Sequence, residues 1–270
     1  MRRHDRDRFQ TALFAPAARR EALFALYAFN YEIARVRERV TEPMLGQMRL
    51  QWWRENIAAA FAGGPVRNHP VVEALTATIR DIALTRGHFD RMIDAREADL
   101  ADEPPGSLAA LEEYAEATSV RLVYLALEAL EVRDPTAGEA AHHIGIAYAL
   151  AGLLRAMPFH ARAGRCLIPA ELVRRSGLAE EDYRAPRTTP ALRTATAEIA
   201  AAASRHLIAA RAYSGKTPRS ALPALLQAII ARRALARLKR AAYDPFNPAF
   251  ATPDPLQSWR LAVAALLGRF

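Results

Sequence analysis

Three acidic residues are spaced so that they could share one face of a helix. Asp90, Asp94 and Glu97 are separated by steps of four and three residues, and residues at these steps are neighbours on a helix surface. Their carboxylates could together hold a hard cation such as Mg²⁺. Because Arg91 and Arg96 lie between them, we favour a solvated, salt-bridged face over a metal site.

Two other patterns could carry chemistry. Glu139 and His142 have the Glu-x-x-His spacing of a di-iron helix, but no second copy occurs in the chain, and such a centre requires one. We therefore favour ordinary helix positions for both residues. Cys166 is the only cysteine, which excludes an intrachain disulfide. Its neighbourhood is not typical of a nucleophile, so burial is favoured over reactivity.

The adjacent residues Trp52 and Trp53 project about 100° apart if they lie on a helix. One of them would then pack in the core, while the other would line a groove or an interface. The simpler alternative places both rings in the core. The sequence alone favours this second interpretation.

The composition predicts an all-α protein. Alanine accounts for 59 of the 270 residues, and 51% of the chain is hydrophobic; alanine favours helix because it loses no side-chain entropy there. Apolar residues recur at helical spacing, and proline and glycine divide the chain into segments of ordinary helix length. We expect the main helices and their boundaries as follows: about 17–39, Thr41 (cap) to Gly63, Asn68 (cap) to 82, 107–130, Asp134 to the break at Pro158, 190–213, 218–242 and 254–268.

The charge of the chain is basic and is carried almost wholly by arginine. Lys and Arg number 37 against 29 Asp and Glu, for a formal net charge of +8, and Lys216 and Lys239 are the only lysines. An arginine- and alanine-rich composition can reflect codon bias, so a nucleic-acid partner is not favoured.

Two observations bear on location. The charged N-terminus, residues 1–8, lacks the apolar stretch of a secretory signal. The longest nearly uncharged apolar run, 144–154, is shorter than the roughly 20 residues that span a bilayer. We expect a cytoplasmic protein without a membrane span, which could contact the inner membrane peripherally. An arginine-bearing helix at 218–242 could touch anionic lipid, although a solvated helix face is the simpler interpretation; its arginines are Arg232, Arg233, Arg237 and Arg240.

Four segments resemble the squalene/phytoene synthase family. RREALFALYAF (19–29) is similar to the start of the family's first aspartate-rich helix, and LQWWRE (50–55) to its next helix. GLLRAMPFHARAGRCLIPAEL (152–172) is similar to the second signature, and YDPF (243–246) to the end of the C-terminal helix. The resemblance covers about residues 10–250. It implies one domain over 1–270 with the isoprenoid synthase fold, a barrel of helices around a central apolar cavity.

The resemblance also implies a chemistry. Enzymes of this family join two prenyl diphosphates head to head, and the departing diphosphate is neutralised by Mg²⁺. Two facing helices present carboxylates to these ions, because hard cations take oxygen ligands.

Most of those carboxylates are missing from this chain. Alignment of the motifs places the family's acidic positions of the first helix on Ala34, Arg35 and Glu38, and those of the second on Ala156 and His160. Only Glu38 is acidic, and Arg35 would add a cation near the metal position. We therefore expect no catalytic residues, no metal site and no cofactor in the family's sense.

Several arginines of these segments persist, and they have two interpretations. They could form a metal-free basic mouth that holds a phosphate or lipid headgroup, since guanidinium matches phosphate oxygens in a bidentate way. They could instead be architectural, at a helix end and the turn after it. The candidates for phosphate or headgroup binding are Arg35, Arg37, Arg155, Arg162 and Arg165, and those for the cavity wall are Tyr27, Tyr31, Trp53 and Tyr148.

Three hypotheses about function follow. The first is a non-catalytic member of the family, similar to the branch represented in mitochondria by a respiratory complex I assembly factor, with a lipid- or isoprenoid-like ligand and a protein partner. The second is an active prenyltransferase acting on farnesyl or geranylgeranyl diphosphate, with Mg²⁺ held by substitute acids. The third is a nucleic-acid or scaffold-binding helical protein. The substitute acids of the second hypothesis are Glu32, Glu38, Asp90 and Asp94.

Overall fold

The computed structural model describes residues 2–101 and 103–270, and every regular element in these ranges is helical. The first half of the chain forms eight α-helices. These are α1 (Arg6–Ala12), α2 (Ala17–Ala34), α3 (Val36–Arg39), α4 (Pro43–Phe61), α5 (Pro70–Asp81), α6 (Arg86–Ala98), α7 (Leu108–Ala115) and α8 (Arg121–Ala129). A 3₁₀ turn (Asp99–Ala101) follows α6, and a π-helical turn (Glu116–Val120) joins α7 to α8.

The second half forms a further eight α-helices, of which the first, α9, is long and central. These are α9 (Pro135–Arg162), α10 (Ala170–Ser176), α11 (Glu180–Arg184), α12 (Pro190–Arg211), α13 (Leu222–Leu225), α14 (Gln227–Arg240), α15 (Pro248–Ala251) and α16 (Gln257–Leu267). A 3₁₀ turn (Arg219–Ala221) precedes α13. The predicted all-α class is confirmed, and the predicted terminal helix is shorter, at Gln257–Leu267.

Local capping explains several helix starts. Ser107 accepts a hydrogen bond from the backbone of Ala110 at 3.1 Å, and Asp134 accepts one from Ala137 at 2.9 Å. Both caps satisfy backbone N–H groups that the first helical turn leaves unpaired. Two predicted caps are wrong, because α4 and α5 start one residue later, after Glu42 and His69, neither of which makes a side-chain cap.

The predicted break at Pro158 is wrong, because α9 continues through this residue to Arg162. A proline inside a helix lacks one N–H donor and ordinarily kinks or ends the helix. Pro158 lies in the last turns, so few downstream hydrogen bonds depend on it. Met157 and Ala161 on either side are buried, and their packing holds the final turn in place.

The core consists of two clusters of buried apolar residues. The first lies mainly between α2, α4, α5, α6 and α8, and the second between α9, α10, α12, α14 and α16. Tyr124 and Leu207 pack against both clusters. Helix α9 contributes to both and contacts α12, α14 and the π-helical turn. It is therefore the central element of the fold.

Helix α9 is the one described helix that is long and apolar enough to cross a membrane by length and composition. Of its most apolar window, 56% is buried inside the protein. A core helix of a helical bundle has this same character, because it packs against neighbours on most of its faces. The apolarity of α9 is accounted for by its place in the core.

Gly145 allows α9 and the π-helical turn to approach closely. A Cβ atom at this position would lie 2.8 Å from the Cα and 2.7 Å from the Cγ2 of Val120. The Cα atom of Val120 belongs to the backbone, which cannot rotate away as a side chain does. The packing of the central helix against Glu116–Val120 therefore requires glycine here.

We predict that Gly145→Ala destabilises the protein by about 1–3 kcal/mol, since the added methyl group overpacks the helix contact. The matched control is Gly138→Ala in the same helix, where a Cβ would meet nothing within 4 Å. That control should gain about 0.5–1 kcal/mol from helix propensity. Chemical denaturation of both variants measures the difference, and equal stabilities would contradict the proposed close contact.

Candidate functional site

A central cavity of about 860 Å³ opens between α1, α2, α7, α9 and α14. Part of its wall is buried and apolar, but charged side chains from α1, α6, α9 and α14 also line it. The predicted cavity is present, although its lining is amphipathic rather than wholly apolar. The buried apolar lining residues are Leu111, Ala115, Leu150, Ile230, Ala234 and Phe250.

The structure brings four of the five degenerate motif positions to this cavity. Ala34 and Glu38 line it at the end of α2 and in α3, and Ala156 and His160 line it from α9. Arg35 does not line the cavity itself but bonds to a residue that does: its Nε lies 3.0 Å from the Glu38 carboxylate, and its guanidinium also bonds to the Tyr31 hydroxyl. The two motif helices thus face each other as the resemblance implies.

The donor set at these positions does not fit a Mg²⁺ cluster. Glu38 offers the only carboxylate, and it is paired with Arg35. Burial and, secondarily, Arg165 lower the pKa of His160, so this side chain is a neutral nitrogen donor, which hard cations do not prefer. Across residues 2–101 and 103–270, no group of three or more His, Cys, Asp or Glu side chains is arranged to hold a metal ion.

The substitute acids of the prenyltransferase hypothesis are all held by arginines. Asp94 and Glu97 both bond to Arg54, at 2.7 and 2.6 Å, so the interpretation of this helix face as salt-bridged is confirmed. None of these acids except Glu38 lines the cavity among the described residues. The other pairs are Glu32 with Arg39 at 2.6 Å, Asp90 with Arg86 at 3.4 Å and Glu38 with Arg35 at 3.0 Å.

An acidic residue of α1 occupies the cavity wall beside Arg155. Arg155 donates from Nη2 to Asp7 Oδ2 at 2.7 Å, Gln257 donates to Asp7 Oδ1 at 2.8 Å, and the Tyr148 hydroxyl lies 3.4 Å from the same carboxylate. Burial acts to raise the pKa of Asp7, but Arg155 and the hydrogen bonds outweigh it, and the pKa is lowered. Asp7 is therefore an ionised internal counterion for Arg155.

Arg8, the next residue, is held in the same way. Its Nη1 donates to Asp5 Oδ2 at 2.9 Å, and its guanidinium lies 4.8 Å from the ring centroid of Tyr148 and 5.9 Å from that of Tyr27. Burial acts to lower the pKa of Arg8, yet Asp5 keeps it above the ordinary value. Helix α1 and its cap thus bring two carboxylates to the cavity wall, where Asp5 pairs with Arg8 and Asp7 pairs with Arg155 of α9.

A third ion pair lies where α6 and α7 meet the cavity. Arg96 Nη1 is 3.2 Å from Asp99 Oδ2, and the Tyr114 hydroxyl donates to the same oxygen at 2.9 Å. Arg165 Nη2 reaches the backbone oxygen of Asp99 at 3.3 Å. Burial raises the pKa of Tyr114 well above its ordinary value, so this hydroxyl remains a hydrogen-bond donor.

The five arginines proposed as a basic mouth do not act as one group. Arg155, Arg162 and Arg165 line the cavity, whereas Arg35 and Arg37 do not. Arg155 is committed to Asp7. Arg162 is exposed, and no side-chain hydrogen bond or ion pair is recorded for it within the described ranges. The predicted cluster of basic charge is therefore reduced by pairing inside the protein itself.

Of the predicted aromatic lining residues, Tyr148 lies at the cavity and three others do not. Tyr27 and Trp53 are completely buried in the first core cluster. Tyr31 faces His4, with ring centroids 4.7 Å apart. Helical periodicity identifies a buried face without distinguishing a packed core from a cavity wall, which is why the sequence did not separate these three rings from Tyr148.

The remaining candidates have structural roles. Trp52 packs edge-on against Trp53, with centroids 5.0 Å apart, and both rings contact the core. Cys166 is half-buried, and burial raises the pKa of its thiol, which disfavours the reactive thiolate. His142 lies beside the ring of His143 at 5.2 Å, and the metal interpretation of Glu139 and His142 finds no support in the described donor groups.

The contribution of α1 was missed by sequence reasoning. Residues 2–8 alternate basic and acidic side chains, a pattern that is typical of a solvated segment as well as of paired internal charges. A usable signal was the pair of acids, Asp5 and Asp7, placed among four arginines. The partners of Asp7, which are Tyr148, Arg155 and Gln257, are more than 140 positions away, so this pairing depends on the tertiary fold.

This architecture, in which two facing helices bring Ala34, Glu38, Ala156 and His160 to one cavity, is that of the isoprenoid synthase fold. A model of the squalene/phytoene synthase family matches residues 1–266. A crystallised squalene synthase from Alicyclobacillus acidocaldarius superposes with a TM-score of 0.79 at 22% identity, covering 90% of this chain and 92% of the other.

Curated proteins of two kinds are similar in sequence. Complex I assembly factor 6 from Rattus norvegicus is 34% identical, covering 96% of this chain and 80% of its own length. Presqualene diphosphate synthase from Rhodopseudomonas palustris is 28% identical, covering 80% of this chain and 81% of its own. The chain belongs to the squalene/phytoene synthase family.

We predict that Asp7→Asn lowers the free energy of unfolding at neutral pH by about 1–3 kcal/mol, since it removes a charge-assisted hydrogen bond. We expect a loss near the lower end of this range, because the Arg155 side chain is 38% exposed and its charge is partly screened by solvent. A carboxyl group with a lowered folded pKa stabilises above its unfolded pKa of about 3.9, and this is lost as the pH falls through the folded value.

The difference between the wild type and Asp7→Asn should therefore shrink as the pH falls below about 4. Urea unfolding across this range measures it. The matched control is Glu180→Gln, which breaks the exposed pair with Arg184 and should cost less than about 0.5 kcal/mol. A pH-independent difference for Asp7→Asn would contradict the ion pair.

Proposed function

We propose that this protein is a non-catalytic member of its family that supports the assembly of a membrane-bound respiratory complex. The observation that carries the proposal is the donor set of the two facing helices. Where the chemistry of diphosphate ionisation needs several carboxylates, the cavity presents Ala34, Ala156 and His160 with one paired acid, Glu38.

The charges of the cavity also support this proposal. A diphosphate carries several negative charges, and it binds where cations are free to meet it. In this cavity Asp7 already neutralises Arg155, Asp5 neutralises Arg8, and Asp99 neutralises Arg96. These three pairs leave fewer cations of the cavity wall available to a diphosphate, since separating a partly buried pair leaves a charge without its partner.

The assembly role is proposed from similarity to the complex I assembly factors. The relatives from rat, cattle, human and mouse are 32–34% identical over 96% of the chain, and homologues from Drosophila melanogaster and Dictyostelium discoideum carry the same description. By this analogy the partner is a protein of a respiratory complex. We place the protein on the cytoplasmic side, peripheral at the inner membrane.

The cavity itself is proposed to hold an isoprenoid- or lipid-like molecule. Its volume of about 860 Å³ lies within the range that encloses a drug-sized ligand. The buried apolar wall suits a hydrocarbon chain, and the exposed Arg162 suits a single anionic headgroup. This ligand would be bound and held without reaction.

We predict that purified protein incubated with farnesyl or geranylgeranyl diphosphate and Mg²⁺ releases no pyrophosphate above the heat-denatured background. The double variant Glu38→Gln, His160→Asn removes the two remaining polar motif side chains. It should restore respiratory-complex assembly in a deletion strain as fully as the wild type, because neither side chain serves a metal.

Pyrophosphate release that depends on Mg²⁺ and disappears in this double variant would reject the non-catalytic proposal in favour of a prenyltransferase. Isoprenoid content of the deletion strain provides a second measurement. We expect impaired assembly of the respiratory complex with unchanged isoprenoid content, and the reverse pattern would overturn the assembly role.

The cavity ligand has its own test. Gly152→Phe would project a ring into the cavity, since Gly152 lines it and a Cβ there meets nothing within 4 Å. We expect any apolar molecule that co-purifies with the wild type, as detected by mass spectrometry of organic extracts, to be lost from this variant. The control is Gly87→Phe, at an exposed position with equal free space. Equal occupancy in both variants would contradict a cavity-bound ligand.

A further inference from the structure

A second groove, on the surface formed by α12, α14 and α16, is lined by an unusual number of arginines. It encloses about 730 Å³ and lies apart from the motif helices. Five arginines line it, and no acidic residue of the described chain does so; they are Arg211, Arg232, Arg233, Arg260 and Arg269. We call this surface the arginine groove.

Three of these five arginines have no counterion within the described residues. Arg233 and Arg260 share one carboxylate, Asp254, with N–O distances of 3.7 and 3.3 Å. Arg211, Arg232 and Arg269 make no recorded side-chain hydrogen bond or ion pair. Burial and the nearby charges of Arg211 and Arg233 lower the pKa of Arg232. In the central cavity, by contrast, acids that line the same cavity pair with Arg8, Arg96 and Arg155.

The groove continues into a smaller neighbouring one of about 280 Å³. Arg211 and Arg232 belong to both, and Lys239 adds a further cation at the far side. Again no acidic residue of the described chain is among its lining residues. Basic side chains therefore follow the surface continuously from α16 across α14 to α12.

Exposed apolar side chains flank the arginines. On α16, Leu261 and Ala264 are buried in the core, whereas Trp259, Leu266 and Leu267 are 69, 77 and 60% exposed. Positions 259, 263, 266 and 267 share one face of α16, because 266 and 267 lie three and four residues after 263, which itself lies four after 259. They form a second apolar stripe on the side of α16 away from the core. Nothing within the described chain covers this stripe.

We propose that the arginine groove and the outer stripe of α16 dock on an anionic phospholipid bilayer. Phosphate groups supply the counterions that the arginines lack, and the acyl boundary accepts Trp259, Leu266 and Leu267. Tryptophan is favoured at this depth because its ring is amphipathic. A nucleic acid would also supply phosphate groups, but it offers no apolar phase for Leu266 and Leu267. A bilayer provides partners both for the arginines and for the apolar stripe.

This inference deepens the peripheral membrane location proposed above by naming the contacting face. The direct test is co-sedimentation of the full chain with vesicles of phosphatidylcholine alone and of phosphatidylcholine mixed equally with phosphatidylglycerol. We expect binding to the anionic vesicles only, weakening as salt is added because the charges are screened. Trp259 fluorescence should shift to the blue on binding, and Trp259→Phe should abolish most of that shift.

The double variant Arg211→Glu, Arg232→Glu should lower the partition coefficient by at least about 20-fold, since each basic residue near an anionic bilayer contributes about fivefold. The matched control is Arg174→Glu, Arg193→Glu, which makes the same change in net charge at two exposed arginines outside the groove. Should the glutamate variant fail to fold, as judged by circular dichroism, Arg211→Gln and Arg232→Gln replace it.

The outcomes distinguish the arginine groove as the contacting face from a peripheral membrane location in general. Anionic binding lost in the groove variant and kept in the control supports the proposal. Equal loss in both variants overturns the groove while leaving a membrane location intact. Binding to neutral vesicles as strong as to anionic ones also overturns it. Groove-dependent binding of inorganic phosphate or of an oligonucleotide, without binding to vesicles, assigns the surface to a different ligand and rejects the bilayer.

Discussion

The ion pair between Asp7 and Arg155 is the contact on which the character of the central cavity depends. Arg155 belongs to the segment that resembles the second signature of the family, and its charge is met by a carboxylate from α1 at 2.7 Å. A charge that is partly removed from water must be paired, or the fold pays its desolvation. Because the chain supplies that partner itself, Asp7 and Arg155 form an internal pair in the cavity wall.

The packing of the fold and the chemistry implied by the family motifs depend on different residues. The helical packing does not use the motif acids: it uses the buried faces of α2, α4, α9 and α12 and the close approach of Gly145 to Val120. Ala34 and Ala156 line the cavity and belong to neither core cluster, so the residue types at these positions can change while the scaffold is kept, since fold and function are distinct properties of a sequence.

The sequence predicted what is local or carried by family motifs. Helical class, the helix starts at Ser107 and Asp134 and the placement of Ala156 and His160 at the cavity follow from periodicity, side-chain chemistry and motif alignment. It failed where tertiary contacts decide. The helix through Pro158 persists because Met157 and Ala161 are buried, and Tyr27 and Trp53 fill the core because a buried helix face does not reveal whether a void lies beyond it. The partner of Arg155 is 148 positions away, and no spacing rule connects them.

The near absence of lysine has a consequence for control of the arginine groove. Five of the six cations along this surface are guanidinium groups, which remain protonated throughout the physiological range and are not acetylated as lysines are. Neither proton transfer nor acyl transfer can switch this charge off. For the bilayer contact proposed above, changes in binding would then arise on the other side, through the supply of anionic headgroups or the ionic strength of the solution.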